Sequence, residues 1–549
     1  TGRTVLLAAR SDVAMYRLLD VLPVFEGDAR ITRRFTLVPG SAFGTDALAA
    51  VGAAGGRTVP WEEACERPYD LILTASPKGA LQLLSGKRVL LPHGAGFGKA
   101  LPAEGSAMIA SGLDPAYLPQ DDQHLVLHAL AHPGQIAQLA AAAPHAAPRA
   151  TVVGDPTLDR ILASRSLRDG YRRALGTGGR RLVVLASTWG EQSLLERRPR
   201  LAAELAAVLP VDAYQLALVV HPNARAALGD FDLAERLAPA RAAGLAVGAG
   251  YEEWAALLVA ADVLVTDHGS VALYFAAGGP ERPVLAACDG GGEVIPGSPI
   301  DMLLAGVPRL ARAADLPGEL AAYGPAVAGR AARAAFAEDR LGRSLPRLRA
   351  ELYALLGLDP PAGTVRPRPL PPPAPPARLP AAFDVHVHRT GGGVRVERVP
   401  AGLGPAGHHL AVEHGTAGEH FARTAGVLYR RAAAPGPGPH RESWTAEGWT
   451  GAVLDDYAGC HTAAAILPDG TCVLRRRGDP ALWALRTAPA AHAGRVVHPD
   501  PAAALSAVHA APATLTAPLH AGTYDCLIGD RAFRLTLGPA LPAQAAYVL

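Results

Sequence analysis

The residues best suited to chemistry stand in four polar turns, each directly after an apolar run that predicts a buried strand. In chain order the turns are Pro92–Lys99 (PHGAGFGK), Ser187–Glu191 (STWGE), His221–Asn223 (HPN) and Asp267–Ser270 (DHGS). Parallel strands present their carboxyl ends at one edge of a sheet, and open α/β sheets bind their ligands there. We therefore expect the four turns to line one cleft.

The turn Asp267–Ser270 lies between a predicted buried strand, Val263–Thr266, and a predicted helix. Free backbone N–H groups and the helix dipole favour an anion at such a junction, which predicts a phosphate site. Gly269 lets the main chain approach a ligand closely. Ser270 is placed to cap the helix and to donate a hydroxyl. An ordinary capped strand-to-helix connection is the alternative interpretation.

The other turns supply side chains that can move or offset charge. His93 heads a glycine cluster and offers a base, whereas Lys99 is either a useful positive charge or an ordinary surface lysine. His221 either serves the cleft or simply ends its strand, since the residue before a proline is extended. Trp189 either stacks on a base or belongs to the core. A neutral histidine is suited to taking a hydroxyl proton, so these residues predict base-assisted chemistry.

Two series of alternating strands and helices are predicted to position the turns. In the first, the strands are Thr4–Ala9, Phe35–Pro39, Arg57–Pro60, Leu71–Ala75, Arg88–Pro92, Leu125–His128 and Thr151–Val153, with a helix over Asp12–Leu22. In the second, the strands are Leu182–Ala186, Leu216–Val220, Leu245–Gly248 and Val263–Thr266, with helices over Pro199–Val208 and Phe231–Ala243. Continuously apolar strands that alternate with helices imply parallel sheets covered on both faces.

A proline-rich segment separates this α/β part from a different module. Between Pro360 and Pro380, 10 of the 21 residues are proline, which predicts a semi-rigid polyproline linker. Beyond it, alternating runs such as Phe383–His388 and Arg531–Leu537 predict an antiparallel β-rich module. The predicted organisation is α/β, with two Rossmann-like doubly wound domains at residues 1–165 and 166–357, a linker at 358–380 and a β-rich module at 381–549.

Composition excludes several classes of protein. The 549 residues are too many for one core, and 19% charged with 49% hydrophobic residues is typical of a globular protein. The formal net charge of +2 gives no electrostatic case for nucleic acid. The five cysteines form no CxxC pair, and no uninterrupted apolar stretch reaches the length of a membrane span. His386 and His388 share one face of a strand, but exposed histidines are favoured there over a metal pair.

Five motifs together resemble the CDP-glycerol glycerophosphotransferase family, which includes the teichoic acid polymerases and primases and has the GT-B fold. They are PHGAGFGK (92–99), VVGDPTLDRI (152–161), STWGE (187–191), VVHPN (219–223) and LLVAADVLVTDHGS (257–270). Their order and spacing agree with the family over about residues 88–290. By this resemblance His93 matches the histidine proposed as general base, His221 a second essential histidine near the donor pyrophosphate, and Ser270 a phosphate-binding serine.

The sequence departs from that family in two of the motifs. The family's Trp before the first histidine is Pro92 here, and its Tyr-Ser-Ser becomes His268-Gly269-Ser270, which removes one of two phosphate-binding hydroxyls. VHPN and TDHGS are also similar to UDP-N-acetylglucosamine 2-epimerase, another GT-B protein. Residues predicted to bind the nucleotide or its phosphates are Gly94, Lys99, Ser187, Thr188, Trp189, Asn223, Asp267, His268, Gly269 and Ser270.

The resulting hypothesis is a transferase that moves glycerol phosphate or a sugar-like group from a CDP-glycerol-like donor to a hydroxyl of a small molecule or polymer. His93 and His221 are its predicted catalytic residues. No DxD motif stands in a suitable setting, so neither a metal nor another cofactor is predicted. A nucleotide-sugar epimerase or hydrolase, and a catalytically degenerate nucleotide-binding or scaffold protein, are the alternatives. We expect a cytoplasmic protein and leave open peripheral contact with the membrane inner face, the oligomeric state and the task of the β-rich module.

Overall fold

A six-stranded parallel sheet forms the first part of the chain in the computed structural model, which describes residues 2–40, 48, 51–52, 55–100, 110, 112–120, 122–248, 252–390, 393–432, 442–510 and 519–549. Its strands are β1 (Arg3–Ala9), β2 (Ile31–Leu37), β3 (Pro68–Thr74), β4 (Ser85–Leu90), β5 (Leu125–Leu130) and β6 (Ala150–Val152). They lie in the order β2-β1-β3-β4-β5-β6, and every pair is parallel. Residues 5–9 of β1 are fully buried, which explains their unbroken apolar run.

A five-stranded parallel sheet follows in the chain. Its strands are β7 (Arg181–Ser187), β8 (Tyr214–Val220), β9 (Ala246–Val247), β10 (Val263–Thr266) and β11 (Val284–Ala286). They lie in the order β11-β10-β7-β8-β9. The strand order therefore reverses beside β7, and a doubly wound sheet opens a ligand crevice at such a reversal. The turns that follow β7 and β10 stand at that point.

Helices cover both sheets. In the α/β part they are Asp12–Val21, Trp61–Cys65, Gly134–Ala142, Pro156–Ala163, Arg168–Ala174, Leu194–Arg197, Leu201–Val208, Pro222–Arg236, Ala238–Ala242, Glu253–Ala260, Val271–Gly278, Pro299–Gly306, Leu316–Ala322, Pro325–Ala335 and Ser344–Leu356. The last of them returns to the first sheet, because its Leu348, Leu352 and Tyr353 are buried in the same core cluster as β1 and β3.

Two predicted elements differ from the structure. The strand predicted at Arg57–Pro60 is only a single bridge between Thr58 and Phe35. The helix predicted over Phe231–Ala243 is divided: the stretch Pro222–Arg236 is kinked at Gly229, whose φ of +74° is not helical, and Ala238–Ala242 is a separate helix. The helical segment before the kink was not predicted. It begins at Pro222 because proline suits the first position of a helix and the His221 ring before it accepts a bond from a backbone N–H.

The C-terminal part is a closed nine-stranded barrel. Its strands are β12 (Ala382–Thr390), β13 (Gly393–Pro400), β14 (His409–Glu413), β15 (Val427–Arg431), β16 (Thr462–Ile466), β17 (Cys472–Arg476), β18 (Trp483–Thr487), β21 (Gly522–Ile528) and β22 (Arg531–Pro539), while β19 (Ala490–His492) and β20 (Arg495–Val497) pair separately. The fold class, α/β with two parallel sheets and a β-rich C-terminal module, is confirmed.

The barrel is mixed rather than antiparallel throughout. The pairs β13–β21, β14–β15 and β15–β16 are parallel. A parallel pair needs a crossover, which the helices Glu419–Thr424 and Ala446–Asp456 supply for the last two pairs. A third helix, Pro501–Ala510, packs against strands on all sides and is almost wholly buried, so it fills the barrel. Five alanines among its ten residues keep this helix slender enough for that place. A short helix, Pro542–Ala545, lies near the end of the chain.

The proline-rich segment and the barrel are both fastened to the α/β part. Leu370 is buried, its N–H donates to Ser164 Oγ at 3.1 Å, and its carbonyl accepts from the Tyr171 hydroxyl at 2.7 Å. Arg398 of β13 donates to the Asp212 carboxylate, at 2.6 Å for its shorter bond, and to Asp500 of the barrel at 2.9 Å. The linker is thus fastened to the α/β part at Leu370, and a buried ion network joins the barrel to the second sheet.

Candidate functional site

A cavity of about 590 Å³ lies between the carboxyl ends of the two sheets. All the residues that the sequence assigns to the site line it, namely His93, Gly94, Lys99, Ser187, Thr188, Trp189, His221, Asn223, Asp267, His268, Gly269 and Ser270. They come from the turns after β4 in the first sheet and after β7, β8 and β10 in the second. The structure therefore places in one cavity the four turns that the sequence predicts to share a cleft.

The ring of His93 is held as a neutral base. Its Nδ1 lies 2.8 Å from the Ala75 carbonyl oxygen, which can only accept, so Nδ1 carries the proton and Nε2 keeps a lone pair. Burial, with the Arg17 charge adding to it, lowers the pKa of His93 to about 4. At neutral pH this side chain can accept a proton through Nε2.

The ring of His221 has the opposite tautomer. Its Nδ1 accepts a hydrogen bond from the Asn223 backbone N–H at 3.1 Å, so the neutral ring carries its proton on Nε2. Burial, together with the Lys99 charge, lowers the pKa of His221 to about 3. This histidine is therefore a hydrogen-bond donor through Nε2 at neutral pH, whereas His93 is a proton acceptor through Nε2.

Asp267 ties two of the turns together. One carboxylate oxygen accepts from the backbone N–H groups of Thr188 and Leu194, each at 2.8 Å, and the other accepts from Gly269 at 2.9 Å. Burial raises the pKa of Asp267, while these hydrogen bonds and the nearby His268 oppose the rise. The carboxylate thus shapes the crevice beside β7 through the main chain.

The predicted helix cap at Ser270 is not formed. Ser270 occupies the N-cap position of the helix Val271–Gly278, but its own backbone is helical and its side chain makes no capping bond. The hydroxyl instead faces the turn of the first sheet, because a Cβ atom built on Gly94 would lie 3.4 Å from Ser270 Oγ. The Ser270 hydroxyl therefore lies next to the backbone of Gly94 in the other sheet's turn.

Lys99 crosses from the first sheet to the second. Its ammonium donates to the Trp189 carbonyl at 2.8 Å, pairs with Glu293 at 3.1 Å and lies 4.5 Å from the centre of the Trp189 ring. Burial lowers the pKa of Lys99, and Glu293 opposes the shift.

The Ser187 hydroxyl accepts from the Leu195 backbone N–H at 3.1 Å and so supports the turn that follows β7.

Sequence reasoning missed three cations that line the same cavity, Arg10, Arg17 and Lys78. Arg17 Nε donates to the His93 carbonyl at 3.2 Å, and its guanidinium lies 5.1 Å from the centre of the Tyr274 ring. Arg10 and Lys78 follow the carboxyl ends of β1 and β3, so the rule that singled out the other turns would have found them. Arg17 stands inside a helix, where no such signal exists.

Two buried histidines, His128 and His509, predict loss of stability in mild acid. Burial lowers the pKa of His128 to about 4 and that of His509 to about 3. An unfolded histidine titrates near 6.5, so below that pH the unfolded chain binds more protons than the folded one. The free energy of unfolding should therefore be full above pH 6.5 and fall between pH 6.5 and 4, by up to about 1.4 kcal/mol per pH unit for each group.

Urea unfolding at pH 7 and pH 5 measures this dependence. His128→Leu removes one of the titrating groups, whose buried Nδ1 atom has no hydrogen-bond partner among the residues that the structure describes. The variant should show a shallower fall in unfolding free energy than the unsubstituted chain. Equal stability of the unsubstituted chain at the two pH values would contradict the prediction.

The described residues contain neither a metal-ligand cluster nor a membrane-spanning helix. Within the ranges that the structure describes, no cluster of three or more His, Cys, Asp or Glu side chains is placed to hold a metal ion. His386 and His388, the strand pair noted in the sequence, belong to no such cluster. No helix in these same ranges is long and apolar enough to cross a membrane.

Two parallel α/β sheets that enclose one cavity at their carboxyl ends are the arrangement of the GT-B fold. The wall teichoic acid polymerase TagF is 14% identical to this chain over 64% of it and 89% of TagF, with a TM-score of 0.45. HepE from Anabaena, in complex with UDP-glucose, is 15% identical over 64% of this chain and 99% of HepE, with a TM-score of 0.41. No protein-family model and no curated protein matches the chain.

Proposed function

We propose that this protein is a transferase that moves glycerol phosphate or a sugar-like group from a nucleotide-diphosphate donor to an acceptor hydroxyl. The observation that carries the proposal is the pair of histidines in one cavity, with a base at His93 and a donor at His221. The motif resemblance to the CDP-glycerol glycerophosphotransferases supports the same reaction class. Glycerol phosphate and sugar transfer both fit a diphosphate held at the start of the helix Val271–Gly278.

The two sides of the cavity receive different substrates. The donor nucleotide binds to the domain of residues 166–357, beside the turns that follow β7 and β10. The acceptor enters from the domain of residues 1–165, next to His93. Arg10, Arg17 and Lys78 line the cavity on that side. An acceptor that carries a negative charge near its hydroxyl is therefore favoured.

The reaction begins when His93 Nε2 takes the proton of the acceptor hydroxyl. The oxygen then forms a bond either to the phosphorus next to glycerol, which releases a nucleoside monophosphate, or to the sugar carbon, which releases a nucleoside diphosphate. His221 Nε2–H, the Lys99 ammonium and backbone N–H groups offset the negative charge on the leaving nucleotide. A proton-transfer base of this kind contributes about 10²–10⁴-fold.

A thermal-shift screen followed by a turnover assay tests the proposal. A ligand that binds the folded state raises its apparent stability. At 100 times Kd, CDP, UDP or GDP should add about 2.7 kcal/mol to the unfolding free energy and so raise the midpoint temperature of unfolding. The stabilising nucleotide then selects CDP-glycerol or a nucleotide sugar for incubation with and without a hydroxyl acceptor, in the presence of EDTA. We expect acceptor-dependent turnover that the chelator leaves unchanged.

The released product identifies the bond that breaks. A nucleoside monophosphate indicates glycerol phosphate transfer, and a nucleoside diphosphate indicates sugar transfer. Turnover without an acceptor would instead support an epimerase or hydrolase. Binding of a diphosphate without turnover of any donor would support a scaffold or nucleotide-binding protein and would reject the transferase.

A further inference from the structure

We propose that Glu293 is a positioning residue that holds one side chain from each sheet, Lys99 and His268, against the donor diphosphate. The inference rests on the proposed function, since it names contacts to the diphosphate in that cavity. Among the described residues that line the cavity, Lys99 and His268 are present and Glu293 is not. Glu293 lies behind them and acts through them.

One carboxylate oxygen of Glu293 meets both side chains. Its Oε2 lies 2.9 Å from His268 Nε2 and 3.1 Å from Lys99 Nζ. The main chain joins at the same place, because the Glu293 carbonyl accepts from the Ala100 N–H at 2.9 Å and Lys99 forms an antiparallel bridge with Val294. The turn after β4 of the first sheet is therefore fastened to the second sheet beside this carboxylate.

His268 has a second ring nitrogen for a ligand. Its side chain is 1% exposed, and within the described residues Nδ1 has no hydrogen-bond partner. Nε2 faces an acceptor and so carries a proton, and a protonated imidazole donates from both nitrogens. A buried polar atom without a partner costs free energy, which a phosphate oxygen at Nδ1 would recover. The ring stands just before Ser270 and the helix Val271–Gly278, where an anion is favoured.

The backbone is shaped for this contact. Gly290 has a φ of +76°, and a Cβ built there would lie 2.6 Å from both Cβ and Cγ of His268. Only glycine lets the segment that carries Glu293 pack so closely on the imidazole. The charged groups that face His268 are Asp267, whose pKa its ring helps to hold down, and Glu293, which Lys99 shares.

Calorimetric titration of CDP and CMP, or of the matching uridine pair, tests the assignment. Glu293→Gln should weaken diphosphate binding about tenfold, the effect of losing roughly one charge-assisted contact, and leave monophosphate binding within about twofold. Glu196→Gln is the matched control, because Glu196 forms an exposed pair with Arg236 at 2.8 Å on the same part of the chain. It should leave the binding of both nucleotides unchanged.

Two substitutions of His268 test which ring nitrogen meets the phosphate. An asparagine amide nitrogen takes the place of Nδ1, whereas a glutamine amide takes that of Nε2. His268→Asn should therefore keep most of the preference for diphosphate over monophosphate, and His268→Gln should lose it. Thermal unfolding of each variant, measured beside the titrations, reports whether the fold is intact.

The outcomes separate this assignment from the proposed function. Diphosphate binding by the unsubstituted chain, with an unchanged diphosphate-to-monophosphate ratio in Glu293→Gln, would overturn the assignment alone. Equal weakening of both nucleotides in a folded Glu293→Gln variant would overturn it as well. An unsubstituted chain that binds no nucleoside diphosphate would overturn the proposed function and this assignment together.

Discussion

His93→Ala is expected to lower kcat by about 10²–10⁴-fold with the proposed donor and acceptor, because it removes the group that takes the acceptor proton. His93→Asn should lose as much, although its amide can still donate to the Ala75 carbonyl and so keep the local hydrogen bond. The comparison separates the loss of the base at Nε2 from damage to the turn. Steady-state kinetics with the donor identified by the nucleotide screen measure both variants.

The control for this effect is a histidine outside the cavity whose pKa is lowered to a similar value. His128 lies in β5 of the same sheet, and burial lowers its pKa to about 4 as it does for His93. His128→Leu should leave kcat within a few fold of the unsubstituted chain. Full turnover in a folded His93→Asn variant would reject the assignment of the base.

Arg398→Ala is expected to destabilise the protein by about 3–5 kcal/mol, the range for breaking a buried ion pair by removing one partner. The Arg398 side chain is 2% exposed and bridges Asp212 beside the second sheet and Asp500 in the barrel. Its loss removes the ion-pair partner of Asp212, whereas Asp500 keeps its pair with Arg431 at 2.8 Å. It also removes a contact to the Phe383 ring. Urea unfolding at neutral pH measures the change.

An exposed pair between the same parts of the chain is the matched control. Arg495 of the C-terminal module pairs with Asp169 of the α/β part at 2.8 Å, and both side chains are more than half exposed. Surface pairs of this kind contribute about 0–1 kcal/mol, so Arg495→Ala should change the unfolding free energy little. Similar effects of Arg398→Ala and Arg495→Ala would show that the buried network does not join the barrel to the second sheet.

Much of the fold could be predicted because local patterns of apolar residues determine its strands and helices. Apolar runs such as Val263–Thr266 became strands with the predicted bounds, since a strand buried on both faces needs no other signal. The prediction failed for segments whose secondary structure depends on contacts with other parts of the chain. Thr58 forms one bridge instead of a strand, and the helical segment between Pro222 and the kink at Gly229 depends on a cap that a hydrophobic pattern does not reveal. Parallel pairing in the barrel likewise depends on helices that act as crossovers.

The sequence by itself determined the two α/β sheets, the proline-rich division and the positions of the polar turns, because each follows from residues close together in the chain. Only the tertiary structure decided what the side chains in those turns can do. The tautomer of His93 depends on Ala75, and the shape of the crevice depends on Asp267 meeting Thr188. The place of Glu293 depends on Lys99 of the other sheet. Proton positions and charge partners are set by contacts between distant residues, and such contacts leave no periodic or spacing signal in a single chain.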